Sequence, residues 1–444
     1  MSSLFVMSAA LTAEGNTLFG KNANREPNEG QATIRIPEMQ QPDSMVSCSF
    51  MQVQQVKRTN EVILSKPYHS WGAEMGINQY GVTIGYTSVF NQFKTSHNKK
   101  GLTGGDMVRL ALERTNNAEL AMETICGLVT AFGQDVPDGY QILDYTHNSF
   151  LIADANNAFL LETAGKQWVA QKVKDFKAIS NTYTIAAEYD YYSKDVVSFA
   201  KAQGWIKKGK DFSFKDSYGD TKKAKYLKAG KTTDYLYDSF KKTAGNFTLE
   251  NAFALLRSHY PSKQFNPSDA KLESVCKHIT RSQSNIQTTA SMVAEIKPKG
   301  LHTAWLTGTS TPCMSIFKPF FIPGSNIFEG IVREPGKLIN SSLWWQAEQF
   351  YRLVASNYSE SLKTFDQERN DLEMQWMGKA RALIKNESNI EAFNELSTNA
   401  FNKHIKKIMQ WNYNLKKANL PSKQFSPFYN KMIAQLNDEV TPVA

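Results

Sequence analysis

The chain has 444 residues, 41% hydrophobic and 12% aromatic, enough for one large domain or two to three ordinary ones around a sizeable core. A mean hydropathy of −0.44 and the lack of any run of about 18 apolar residues exclude a membrane-spanning helix. A formal charge of +9 favours acidic partners, and without an RNP, helix-turn-helix or zinc-finger pattern nucleic acid is set aside.

The N-terminus has no basic stretch followed by an apolar run, so no secretory signal is expected. Cys48, Cys126, Cys276 and Cys313 lie far apart with no CxxC pair. They read as reduced thiols, and the expected location is cytoplasmic.

The first thirty residues predict a hairpin. Met1 to Ser8 and the run from Asn16 to Pro27 are apolar and partly β-branched or aromatic, with turn chemistry at Ala13-Glu14-Gly15-Asn16. A strand starting near Ser2 places a hydroxyl beside the chain's own amine once Met1 is trimmed. An amine with a pKa of about 7.7–8.0 suits a general base near neutral pH. A Met-Ser-Ser start is common, and by itself carries no function.

Further on, residues 46–56 and 61–66 read as two strands around a turn at Arg58-Thr59-Asn60, and residues 81–87 as another. Residues 103–116 and 118–132 read as helices, with Thr103 as cap and Asp106 in the first turn. Asp154-Ala155-Asn156-Asn157 is a hairpin turn between strands at 150–153 and 159–162. Strands are expected at 167–173, 178–184, 285–296 and 302–307, whereas 317–323 reads as core and turn. His69 is a lone histidine in a loop, with no metal role expected. Cys276 and His278, beside Arg281, are too few for a zinc site. Residues 200–231 carry ten lysines against three aspartates, with aromatics interleaved. That pattern fits a solvated helical insertion with buried aromatics, or a docking surface. Residues 232–258 look helical. From Leu343, apolar residues recur every three or four positions, predicting helices over 343–383 and 390–417, broken at Pro421.

Several blocks resemble one family. Phe19-Gly20-Lys21-Asn22 with Arg25-Glu26-Pro27, Trp71-Gly72-Ala73-Glu74-Met75-Gly76, the run from Gly105 to Arg114, Leu161-Glu162-Thr163-Ala164-Gly165, Ile179-Ser180-Asn181, Thr288-Thr289-Ala290-Ser291-Met292-Val293 and Phe317-Lys318-Pro319-Phe320 occur in the order seen in the secernins and related cysteine dipeptidases. The resemblance spans about residues 2–360. It implies an α+β chain with the four-layer αββα fold of N-terminal-nucleophile (Ntn) hydrolases over 2–335, the lysine-rich insertion included. A helical extension over 340–444 would follow.

The resemblance also implies site roles. The family's nucleophilic Cys falls on Ser2, and its amine-orienting Asp on Asn24. The Gly-Asn-Glu-Ala block falls on Gly85-Tyr86-Thr87-Ser88, so an oxyanion or substrate donor becomes Tyr86. Asn181 remains an oxyanion donor, Lys21 could hold a carboxylate, and Asn22 and Arg25 are substrate-binding candidates. An amide at Asn24 accepts a hydrogen bond but brings no charge, so the charge-assisted bond to the amine is lost. No metal or other cofactor is implied, and a similar Cys-x-His in the family leaves Cys276 and His278 a packing role. Two readings follow. One is a pseudoenzyme that binds an acidic partner, cytoskeletal or vesicular. The other is a hydrolase that cleaves a dipeptide or small amide with Ser2.

Overall fold

The computed structural model describes residues 2–93, 100–135, 146–226, 228–243, 245–260, 262, 265–267, 270–271, 273–279, 286–324, 333–420 and 427–440. Met1, Arg281, Asn285 and Pro421 lie outside them.

In chain order, β1 (Ser3–Met7) and β2 (Thr17–Arg25) form the predicted hairpin, with Phe5 opposite Gly20. Gly15 turns the chain at φ +65°. Gly20 is glycine for space, because a Cβ there would sit 2.2 Å from the Phe5 ring. Then come β3 (Gln31–Ile36), β4 (Met39–Gln40), β5 (Met45–Ser47), β6 (Gln52–Gln54), β7 (Arg58–Thr59), β8 (Val62–Pro67), β9 (Met75–Asn78) and β10 (Thr83–Phe90). Helices α1 (Gly104–Arg114) and α2 (Ala118–Phe132) follow. Strands β11 (Thr146–Ala153), β12 (Ala158–Ala164), β13 (Gln167–Val173), β14 (Phe176–Ile179) and β15 (Tyr191–Tyr192) precede α3 (Val196–Ala202), α4 (Phe214–Tyr218), α5 (Thr221–Tyr226), α6 (Ala229–Thr243) and α7 (Leu249–Leu256). The chain then runs through β16 (Gln287–Ile296), β17 (His302–Leu306) and β18 (Lys318–Ile322) to α8 (Leu343–Ala355), α9 (Tyr358–Leu362), α10 (Asp366–Lys385), α11 (Ile390–Ala418) and α12 (Pro427–Asp438).

Two antiparallel sheets carry the fold, one ordered β14-β1-β2-β16-β17-β18 and the other β15-β13-β12-β11-β10-β9-β8-β3. Side-chain alternation sorts each strand of the second sheet between two cores. Leu151, Ala153 and Leu160 join Leu4 and Val6 of β1 between the sheets. Phe150, Ile152, Phe159 and Leu161 turn outward to Leu110, Met122 and Ile125 of α1 and α2. On the other side α6, α7, α10 and α11 cover the six-stranded sheet, through contacts of α6 with β14, α7 with β2 and β16, and α10 and α11 with β18. This is the expected αββα stack, and the C-terminal helices close over it.

Local chemistry sets the element ends. Thr103 and Asp106 form a reciprocal capping box at α1. The Asp154 carboxylate accepts the amides of Asn156 and Asn157 in its hairpin and that of Ala118 at the start of α2.

Four sequence expectations need correction. Residues 46–56 are not one strand: β5 and β6 pair with each other, Val46 opposite Val53, around a turn at 48–51. The strand expected over 178–184 ends at Ile179, because Thr184 and Ile185 turn their amides to the buried Glu162 carboxylate. β9 went unpredicted because four residues with a central Gly76 carry little periodicity. The prolines at 319 and 323 made 317–323 read as a turn, yet β18 is an edge strand, where the missing N–H of Pro319 is tolerated.

In the 200–231 region four of the five aromatics point inward. Trp205 and Tyr218 pack on Phe93, Phe214 on Tyr183 and Phe212 on Tyr189. Tyr226 is exposed, and so are nine of the ten lysines, Lys223 lying over the Phe90 ring.

Candidate active site around Ser2

Ser2 is buried just ahead of β1, where the end of β2 and the middle of β10 meet between the sheets. Its Oγ accepts the backbone N–H of Asn24 at 3.3 Å. Its own nitrogen lies 3.3 Å from Thr87 Oγ1, the bond's acceptor. Asn181 Nδ2 donates to the same Thr87 oxygen at 3.0 Å and to Ser88 O at 2.6 Å. The Asn24 side chain accepts from Thr288 Oγ1 at 2.7 Å. The partner found for the Ser2 nitrogen is thus a neutral hydroxyl.

Beside Ser2 lies a buried ionic network. Lys21, fully buried on β2, donates from Nζ to Glu74 Oε2 (2.9 Å) and to the carbonyls of Glu74 (2.5 Å) and Tyr86 (2.6 Å). Arg25 bridges Glu74 Oε1 and both oxygens of Glu29. The Tyr86 hydroxyl donates to Glu74 Oε1 at 3.0 Å, and His69 Nε2 stands 2.8 Å from Glu29 Oε1. Among the described residues two cations, Lys21 and Arg25, face two carboxylates, Glu74 and Glu29. Burial pushes the Glu74 carboxyl up, but Lys21 and Arg25 outweigh it and hold it low. Burial likewise works against Glu29, which Arg25 and His69 bring down to about 2. Burial, then Glu74, pushes the Tyr86 phenol well up, so it stays a donor. What remains open is a cavity of about 10 Å³ bounded by Ser2, Asn24, Arg25, Glu74, Tyr86, Thr87 and Ser88. That is of the order one water needs.

The sequence profile of peptidase family C69 matches residues 53–371. The chain belongs to peptidase family C69. The kinship read from the sequence blocks therefore holds over most of its length. Among solved structures it is similar to a conjugated bile acid hydrolase from Clostridium perfringens, at 12% identity and a TM-score of 0.41, covering 68% of this chain and 88% of that one. It is similar also to penicillin V acylase from Agrobacterium tumefaciens, at 11% identity and a TM-score of 0.42, covering 72% and 86%.

In this C69 chain Ser2, Asn24, Arg25 and Tyr86 line one cavity. Asn181 reaches it through Thr87, and Lys21 lies behind it. Asn22 is not among the lining residues. Its amide donates to Leu256 O and Val275 O and accepts from Ser291 Oγ, which ties α7 and the 275 segment to β2. Glu74, Glu29, Thr87 and Thr288 were missed as site residues. Glu74 carried one signal, a carboxylate inside an apolar, glycine-flanked block. The others had none, because hydroxyls and surface-type acids are common everywhere.

Proposed function

We propose that this C69 protein keeps the hydrolase fold without efficient amide hydrolysis and works by binding an acidic partner. One observation supports this most: the charged groups beside Ser2 pair with one another, and the cavity there has room for about one water. A small-molecule site normally offers roughly 300–1,000 Å³. A nucleophilic hydroxyl needs a base held in place, and a developing oxyanion needs donors aimed at it. Here the amine position meets Thr87, Lys21 and Arg25 are engaged by Glu74 and Glu29, and the Tyr86 ring fills space. Glu74 borders the cavity, yet its oxygens receive Lys21, Arg25 and Tyr86.

The binding half rests on charge. The net charge of +9 includes the exposed lysines around α3 to α6. Such a surface suits acidic cytoskeletal tails or an anionic vesicle surface, in the cytoplasm. Polyglutamate binding should weaken steeply as salt rises and should fall on charge reversal at Lys207, Lys208, Lys210 and Lys222. Salt-independent binding would remove the electrostatic argument.

The second reading, a Ser2 amide hydrolase for dipeptides, is favoured by one feature: Asn181 and the Ser2 nitrogen converge on a single hydroxyl. N-terminal mass spectrometry together with dipeptide turnover separates the two. Expected are a blocked or Met1-bearing terminus, or background turnover equal to that of Ser2→Ala. A free Ser2 amine with turnover abolished by Ser2→Ala would establish the hydrolase instead.

A further inference from the structure

Away from Ser2, three distant segments bring together His259, Cys276, His278 and Cys313, with ligand atoms all within 4.8 Å of one another. His259 follows α7, Cys276 and His278 precede β16, and Cys313 lies between β17 and β18. The His278 Nε2 atom is 3.1 Å from His259 Nε2, 3.4 Å from Cys276 Sγ and 3.5 Å from Cys313 Sγ. One imidazole nitrogen has a single proton or a single lone pair, so it cannot serve three neighbours by hydrogen bonding. A shared cation can. A tetrahedron with Zn–N of about 2.0–2.1 Å and Zn–S of about 2.3 Å has edges of roughly 3.3–3.8 Å, close to the three spacings around His278 Nε2.

The surroundings are built like a ligand scaffold. The far nitrogen of His278 lies 2.5 Å from the buried Tyr351 hydroxyl. With Nε2 on a metal, Nδ1 carries the proton and donates to that oxygen, which fixes the ring. The His259 ring stacks on Phe265 at 3.5 Å. The backbones are pinned to each other: the Cys276 amide donates to Ser258 O, Thr288 to Lys277 O and Thr311 to Thr288 O. Arg257 donates to the carbonyls of Pro312 and Ser315 on either side of Cys313 and Met314.

We propose that His259, Cys276, His278 and Cys313 form a closed, four-ligand structural zinc site. This replaces the packing role that the family resemblance implied for Cys276 and His278. Two thiolates balance the dication, and with four protein ligands the ion holds no position for substrate. The site props the wall of the Ser2 cavity: the Lys277 amide donates to Thr288 Oγ1, which donates to Asn24.

The test uses the full chain, purified reduced, exposed to excess zinc and desalted. About one zinc per chain should remain, as in closed structural sites, and Cys276→Ser with Cys313→Ser should abolish retention. Cobalt in place of zinc should give a thiolate-to-metal charge-transfer band and tetrahedral ligand-field absorption. Cys48→Ser with Cys126→Ser should keep both, since only the proposed thiols are left. That variant decides the matter even where the first does not fold. No retained zinc in the wild type, or cobalt without a thiolate band in the Cys48→Ser/Cys126→Ser protein, overturns the proposal.

Discussion

Replacing Lys21 by Met keeps the length of the side chain and removes its charge and three donated hydrogen bonds. The acceptors are Glu74 Oε2 and the buried carbonyls of Glu74 and Tyr86. Breaking a buried ion pair from one side costs about 3–5 kcal/mol. Each carbonyl left without its donor adds about 1–3 kcal/mol where nothing replaces it. Two effects work the other way. Glu74 keeps Arg25 and the Tyr86 hydroxyl, and the desolvation of the ammonium is no longer incurred. The net loss should therefore be about 3–5 kcal/mol. Guanidinium unfolding followed by tryptophan fluorescence, with eight tryptophans as reporters, would measure it. Glu74→Gln and the double variant complete a cycle, and the coupling should exceed about 1 kcal/mol. A loss under about 1 kcal/mol, or strict additivity, would refute the view of Lys21 as a structural cation. Were it instead a substrate anchor, stability would hold and only KM would rise.

Three other outcomes are expected. Gly72→Ala would place a Cβ 2.2 Å from the backbone carbon of Gly105 and 2.3 Å from the Asp106 nitrogen. Backbone cannot yield as a side chain can, so a loss of at least about 2 kcal/mol and a lower melting temperature are expected. Thr103→Ala removes one arm of the capping box and should cost about 1 kcal/mol by the same melt. The Glu29 carboxyl is brought from its ordinary 4.5 to about 2 in the folded chain. Its stabilisation is thus present above about pH 4.5 and is lost as pH falls toward 2, an effect of about 3 kcal/mol at most. Glu29→Gln should be less stable than wild type at pH 7, and the gap should close in acid. A gap that does not change with pH would mean that Glu29 is not held ionised by Arg25 and His69.

Much of the secondary structure was legible because its causes are local. Thr103 with Asp106, the Asp154 turn and the three-to-four spacing from Leu343 each act over a few residues. β9 and β18 were not legible, since strands of four and five residues carry little periodicity of their own. β18 pairs with β17 and packs on α10 and α11, and prolines hid it.

The candidate site divides the same way. Ser2 and Asn24, departures from the family pattern, are visible in the residues themselves, as are Tyr86 and the basic excess. Whether those residues meet, and what each is bonded to, is decided by strand register and sheet stacking. Lys21, Glu74 and Tyr86 are 53 and 65 positions apart along the chain, yet facing sheets place them in one low-dielectric contact. His259, Cys276, His278 and Cys313 converge for the same reason. The sequence by itself determined which chemical groups and local elements are available; only tertiary packing decided their partners, because contact energies act across space and carry no mark of chain distance.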